Sequence, residues 1–214
     1  GGHAHHDRHR AGIVHLMEAL INAGGKGTRM GPCGIEKPMQ VIGGKHVVQR
    51  VVEAMCGAKG IDRVLVSVSP NTPKTEAYLK SIGVETIRTS GEDFMMDLHE
   101  SFSVMSGDYV MTSPSDVPLM TSSVIDCTLD SFKPEMQSMI VLVKAGIVRQ
   151  MGIVPSYTRV LDGEEWVLSG LSVMDRKGTL EGKSLNECCL KTDWKELAVN
   201  VNTQAELFLA RKLF

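Results

Sequence analysis

The chain has 214 residues, enough for one α/β domain with a full core. Hydrophobic residues make up 43% and charged residues 22%, and the formal net charge of −2 argues against a broad basic face for nucleic acid. No apolar run is long enough to span a bilayer. Five cysteines without a C-x-x-C pair argue against a disulfide framework or a zinc site and for a reducing cytoplasm.

Residues 1–16 stand apart. They hold His3, His5, His6, His9 and His15, five of the seven histidines, with little apolar periodicity. A metal-binding arm is one reading. A disordered leader, either an expression remnant or an upstream extension, is preferred because Met17 directly precedes the first strand, and no apolar h-region marks a secretory signal. Residues 17–214 read as one domain.

Strand-like segments at 18–23, 62–68, 84–87, 108–113, 138–143 and 165–174 alternate with helical patterns at 46–57, 73–82, 93–105, 121–132 and 203–212. Val47, Val48, Val51, Val52 and Met55 share one helical stripe. Thr72-Pro73 and Thr121 are suited to start helices, and Glu196 to Val201 reads as a last short strand. The alternation predicts a parallel sheet with helices on both faces. Cys188 and Cys189, together with Met95 and Met96, are expected to fill core space. His46 and His99 are expected on or near helix surfaces rather than in catalysis.

The first strand runs into Ala23-Gly24-Gly25-Lys26-Gly27-Thr28-Arg29-Met30-Gly31, followed by Glu36-Lys37-Pro38. A glycine-rich turn leaving a strand lets backbone N–H groups converge on one spot. Arg29 and Lys37 add two cations, equipment for holding a triphosphate and stabilising charge on the phosphate under attack. A glycine turn that merely reverses the chain is the plain alternative. No G-x-x-x-x-G-K-[ST] run exists, and the dinucleotide fingerprint with its ribose-binding acid is missing.

In open α/β sheets ligands sit outside the carboxyl ends of the strands. That rule groups the glycine run with Ser69-Pro70-Asn71-Thr72-Pro73-Lys74-Thr75, Thr89-Ser90-Gly91 and Ser113-Pro114-Ser115-Asp116-Val117-Pro118. Asp116, at a strand end facing the glycines, is placed to bind Mg²⁺. A turn aspartate bonding its own backbone is the alternative. A second oxygen is expected from Asn202, and less from Asn200, unless one of them caps the last helix in competition with Thr203.

These motifs resemble the superfamily of sugar-nucleotide and molybdenum-cofactor nucleotidyltransferases: residues 23–38, Ser115-Asp116-x-Pro118 and Asn200-x-Asn202-Thr203 occur in that order across the chain from Met17 onward. The resemblance implies a Rossmann-like three-layer sandwich with a mostly parallel sheet and transfer of NMP from an NTP to a phosphate. Ser69 to Thr75, Thr89-Ser90-Gly91, Asp97-Leu98 and Ser169-Gly170-Leu171-Ser172-Val173 are similar to the archaeal GTP:adenosylcobinamide-phosphate guanylyltransferases, with a small departure at Gly34-Ile35. That likeness implies GTP and adenosylcobinamide phosphate as substrates, with Gly170 near the nucleotide. On this reading Gly24, Gly25, Gly27 and Thr28 cradle phosphates. Arg29 and Lys37 neutralise the β/γ and α groups, and Mg²⁺ sits on Asp116 and Asn202. Ser69, Asn71, Ser90, Gly91 and Asp97 lie on the guanine side. A homodimer is left open. The rival readings are a nucleotidyltransferase acting on molybdopterin or a sugar phosphate, and a non-catalytic GTP-binding module.

Overall fold

The computed structural model describes residues 16–214. The leader expected at 1–16 therefore lies, but for Leu16, outside the described residues. The strands are β1 (Met17–Asn22), β2 (Val41–Ile42), β3 (Lys45–His46), β4 (Arg63–Val68), β5 (Thr86–Arg88), β6 (Tyr109–Pro114), β7 (Ser138–Lys144), β8 (Thr158–Leu161), β9 (Glu164–Asp175) and β10 (Glu187–Thr192). The helices are α1 (Val47–Gly57), α2 (Pro73–Ser81), α3 (Phe94–Val104), α4 (Ser122–Ser131), α5 (Ala145–Gln150), α6 (Arg176–Leu180) and α7 (Gln204–Lys212).

The main sheet runs β10-β7-β9-β6-β1-β4-β5, with β8 added to β9. β4, β1 and β6 are mutually parallel, as are β4 with β5 and β10 with β7. β9 runs antiparallel to both β6 and β7. The sheet is thus mostly parallel, as expected, with β9 as the antiparallel exception among the strands of its main path. β9 follows a hairpin from β8 rather than a helical crossover, and a hairpin reverses strand direction.

β1 is an interior strand, and Ala19, Leu20 and Ile21 are fully buried on both of its faces. Ala19 and Ile21 face the larger core, packed by α1, α2, α4 and α7; the predicted stripe Val47, Val48, Val51, Val52 and Met55 is buried there. Leu20 faces a second core with Leu65, Val110, Leu98 and Phe102 from the α3 side, and Leu180 of α6 borders it. This makes three layers. The order of strands reverses between β1 and β6, so the carboxyl ends of these two flank the crevice in which such sheets bind ligands.

Two expectations fail. Glu196–Val201 is not a strand: Lys195–Leu197 forms a 3-10 turn, and the Val201 N–H goes to the Asp116 carbonyl (2.8 Å) instead of a ladder. The sheet edge is β10 instead, where Cys188 is half-buried and Cys189 exposed, so neither fills the core. An edge strand open to water on one side carries little of the continuous apolar signal that marks β1.

At the amino end of β1, Glu18 is fully buried. Its carboxylate accepts from Arg63 (2.9 Å), the Ser106 N–H (2.8 Å) and the Gly107 N–H. Burial alone would raise its pKa, but Arg63 and the two amides outweigh it and hold the group below its ordinary value of 4.5. A depressed carboxyl contributes stability above its unfolded pKa and loses it as pH falls through the folded one. Glu18→Gln is therefore expected to destabilise the fold by about 2–3 kcal/mol at neutral pH, read by urea unfolding. Below pH 4.5 the gap between variant and parent should narrow. A gap that stays constant from neutral to acid pH would refute this role.

Candidate nucleotide site

β1 hands over to the glycine-rich loop through one more ladder bond, Ala23 N–H to the Ser67 carbonyl (2.8 Å). Gly27 then takes a left-handed backbone (φ 63°), which starts the 3-10 turn Thr28–Met30. The loop is sewn to its neighbours. The Gly24 carbonyl accepts from Ser69 Oγ (2.6 Å) and Asn71 Nδ2 (3.1 Å), and Asn71 Nδ2 also reaches the Gly91 carbonyl (3.2 Å). A side chain at Gly91 would lie 2.5 Å from Ser69 Oγ, so this close approach requires glycine. Lys26 pairs with Glu92 across the rim (3.1 Å).

Three of the four loops expected at one crevice are thereby joined, and the fourth arrives through Asp116. Asp116 is 3% exposed, and its Oδ2 lies 2.9 Å from Lys37 Nζ. The same ammonium donates to Asn202 Oδ1 at 3.0 Å. Thr203, not an asparagine, caps α7 (Glu206 N–H to Thr203 Oγ1, 3.2 Å), and the Glu206 carboxylate accepts from Thr203 Oγ1 (3.1 Å) and the Asn202 N–H (3.0 Å). The Asn202 side chain is thereby released toward Lys37. Asn200, two residues earlier, is half-buried.

Asp116 Oδ1 is buried with no hydrogen-bond partner. A buried carboxylate oxygen left unpaired is costly unless a cation or donor takes it. It and the Asn202 amide oxygen are oxygens of the hard type that a magnesium-like ion could take alongside phosphate oxygens and water. Among the described residues no three His, Cys, Asp or Glu side chains converge as a metal cage. One carboxylate suffices for an ion of this kind.

Glu36 was read only as part of the Glu-Lys-Pro run, and its job is tertiary. Its carboxylate accepts from the Lys74 N–H (2.9 Å), the Thr75 N–H (2.8 Å) and Thr75 Oγ1 (2.7 Å). It caps α2 from 38 residues away along the chain, where Thr72 makes no side-chain cap. The Lys74 amide is used in this cap, and its side chain is exposed. Because Glu36 directly precedes Lys37, the cap pins the lysine's backbone.

Other expected residues take supporting positions. The Asp97 carboxylate accepts from Ser90 N–H (3.1 Å), Ser90 Oγ (2.7 Å) and Gly91 N–H (2.8 Å), so it shapes its own loop. Gly25, Thr28 and Arg29 are exposed at the crevice mouth, and Arg29 lies over the ring of Tyr157, 5.3 Å from its centroid. Gly170 has a left-handed backbone, and a side chain there would lie 2.9 Å from Pro114. It lets β9 pack against the end of β6. His46 Nδ1 donates to the Met39 carbonyl (2.7 Å), and His99 is half-buried on α3. Met95 (56% exposed) and Met96 (69%) do not fill the core; they lie exposed on the first turn of α3.

The MobA-like NTP transferase domain matches residues 19–168, a span that holds the glycine loop, Lys37 and Asp116. The adenosylcobinamide-phosphate guanylyltransferase of Methanocaldococcus jannaschii is 31% identical over 208 residues, covering 92% of this chain and 97% of that protein. Among solved structures, CMP:2-keto-3-deoxy-manno-octonic acid synthetase complexed with CTP aligns with a TM-score of 0.73 at 16% identity, over 92% of this chain and 98% of the other. The 4-diphosphocytidyl-2C-methyl-D-erythritol synthase of Anaerococcus prevotii aligns with a TM-score of 0.66 at 12% identity, over 93% and 96%. Those two likenesses bear on the fold alone. With the family's domain matching residues 19–168 of this chain and a relative aligned nearly end to end, the chain belongs to the MobA-like NTP transferases, enzymes that transfer nucleotidyl groups.

Proposed function

We propose that this protein transfers GMP from GTP to adenosylcobinamide phosphate, yielding adenosylcobinamide-GDP and pyrophosphate. The observation that carries the reading is the convergence of Lys37, Asp116 and Asn202 within 3.0 Å contacts at the switch point of the sheet, opposite the glycine loop. The choice of acceptor rests on the relative named for that reaction.

The chemistry asks little covalent work of the protein. A phosphate monoester is anionic near neutral pH, so the attacking oxygen needs no strong general base. Its lone pair forms a bond to the α-phosphorus, and the bond from that phosphorus to the bridging oxygen breaks. The electron pair leaves with pyrophosphate. Alignment and charge stabilisation remain. Backbone amides of Gly24, Gly25 and Gly27, with Thr28, hold the phosphates. Lys37 moves from its carboxylate to the α-phosphate, and Arg29 neutralises the β and γ groups. A divalent cation, in our reading Mg²⁺, fits Asp116 and Asn202, and when bound it supplies neutralising charge to phosphate oxygens.

Guanine lies on the side of Ser69, Asn71, Ser90 and Gly91. Asp97 acts there through the backbone it holds, while Gly170 lies near the nucleotide and Asn200 near its phosphates. Five free cysteines fit a reducing cytoplasm. No helix among the described residues is long and apolar enough to cross a membrane.

The decisive experiment is pyrophosphate release from GTP that requires both adenosylcobinamide phosphate and Mg²⁺, compared across the four NTPs and with molybdopterin or sugar phosphates as acceptors. Release that follows another acceptor, or needs none, would overturn the assignment. Arg29→Ala and Lys37→Ala are each expected to lower kcat/KM by roughly two to three orders of magnitude. Near-normal turnover would remove them from the mechanism. Glu36→Ala should cost about 10- to 100-fold in kcat while the chain stays folded, because Lys37 loses its registered backbone. An unchanged kcat would show that the α2 cap is structural only.

A further inference from the structure

The geometry points to Tyr157 as a positioning residue for Arg29, acting through its ring face. The inference rests on the reading of Arg29 as a triphosphate contact. Tyr157 stands just before β8, and its carbonyl accepts from the Leu168 N–H of β9 (3.0 Å). Only the Ser172–Asp175 end of β9 pairs with β6, whereas Trp166–Leu168 pair with the last residues of β7. The β8–β9 hairpin therefore stands beyond the carboxyl end of β6, the strand that leads to Asp116. It forms the wall of the crevice facing the glycine loop.

Two independent observations mark the tyrosine. Its backbone is left-handed (φ 54°), a conformation a bulky aromatic residue rarely takes. Its side chain is 68% exposed, so burial of the ring does not offset that strain. Strain without burial is kept where the residue has a task outside the core. The second observation is the partner: the Arg29 guanidinium sits over this ring, 5.3 Å from its centroid.

Stacking suits the task proposed for Arg29. A guanidinium laid on an aromatic face uses its π surface and leaves its in-plane N–H groups free for phosphate oxygens. The ring limits where a long, flexible, exposed side chain can go without consuming a donor. It also ties the loop that carries Arg29 to the β8–β9 hairpin.

The test is a double-mutant cycle read by calorimetric titration of GTP with Mg²⁺, which needs no acceptor. Tyr157→Phe keeps the ring. Tyr157→Asn removes it with the non-glycine residue best suited to a left-handed backbone, so the loop keeps its shape. Tyr157→Asn is expected to weaken GTP binding by about two- to five-fold, the scale of one exposed cation–π contact, with KM for GTP rising in step and kcat little changed. Tyr157→Phe should bind as the parent does. In an Arg29→Ala background, Tyr157→Asn should have no further effect. Undiminished binding in Tyr157→Asn, equal weakening by Phe and Asn, or a Tyr157 effect that survives loss of Arg29 would each overturn the proposal. So would an Arg29→Ala chain that binds GTP normally. A parent chain that binds GTP but releases no pyrophosphate with adenosylcobinamide phosphate would overturn the assigned reaction alone, and the cycle would still decide the role of Tyr157.

Discussion

One ammonium group organises the site. Lys37 Nζ joins Asp116, 79 residues away in sequence, to Asn202, 165 residues away. The glycine loop, the end of β6 and the segment before α7 therefore share a single charge. A buried carboxylate beside a half-buried lysine is stable only while its partners hold it, since removing one strands the other in a low-dielectric pocket. The rest of the local structure serves this contact. The Val201 N–H bond to the Asp116 carbonyl sets Asn202 at the correct height, and the Glu36 cap on α2 sets Lys37. Thr203 and Glu206 close α7 so that Asn202 is not spent as a cap.

The two ends of the parallel strands are built on opposite electrostatic logic. At the amino end of β1, both carboxylate oxygens of buried Glu18 are matched, one by Arg63 and the other by the Ser106 and Gly107 amides. Arg63 in turn holds Glu85, and its guanidinium is pushed to bind its proton more tightly by Glu85 and Glu18. At the carboxyl end, Asp116 keeps one buried oxygen without a partner. Satisfied charge rigidifies the fold, whereas an unsatisfied buried oxygen leaves free energy to be recovered when a ligand supplies its partner, which is the use the proposed reaction makes of it. A parallel sheet lends itself to this division, because its loops at one end can vary while the ladder beneath stays closed.

Much of the site was legible in the linear chain because its residues belong to short local motifs. The glycine run, Arg29, Lys37 and Asp116 each follow a strand end or a turn, and strand ends are marked by hydrophobic runs such as Ala19-Leu20-Ile21. Glu36 was not legible as a cap, since its partners are backbone amides of a distant helix, and backbone amides look alike in every sequence. Asp97 was expected on the guanine side; folding turns it onto the Ser90 and Gly91 amides. β10 was missed, and Glu196–Val201 mistaken for a strand, because a half-exposed edge strand and a short apolar loop have nearly the same composition.

By itself the sequence determined the layering: alternating apolar runs and amphipathic stretches demand a sheet covered on both faces, and the glycine-rich turn after the first strand marks where the candidate site begins. Which strands run antiparallel, which acid stays unpaired, and which aromatic ring lies over Arg29 were decided only in three dimensions. The physical reason is range. Periodicity and turn chemistry act over a few residues, whereas the Lys37, Glu36 and Tyr157 contacts join segments that meet only after the sheet has closed around its two cores.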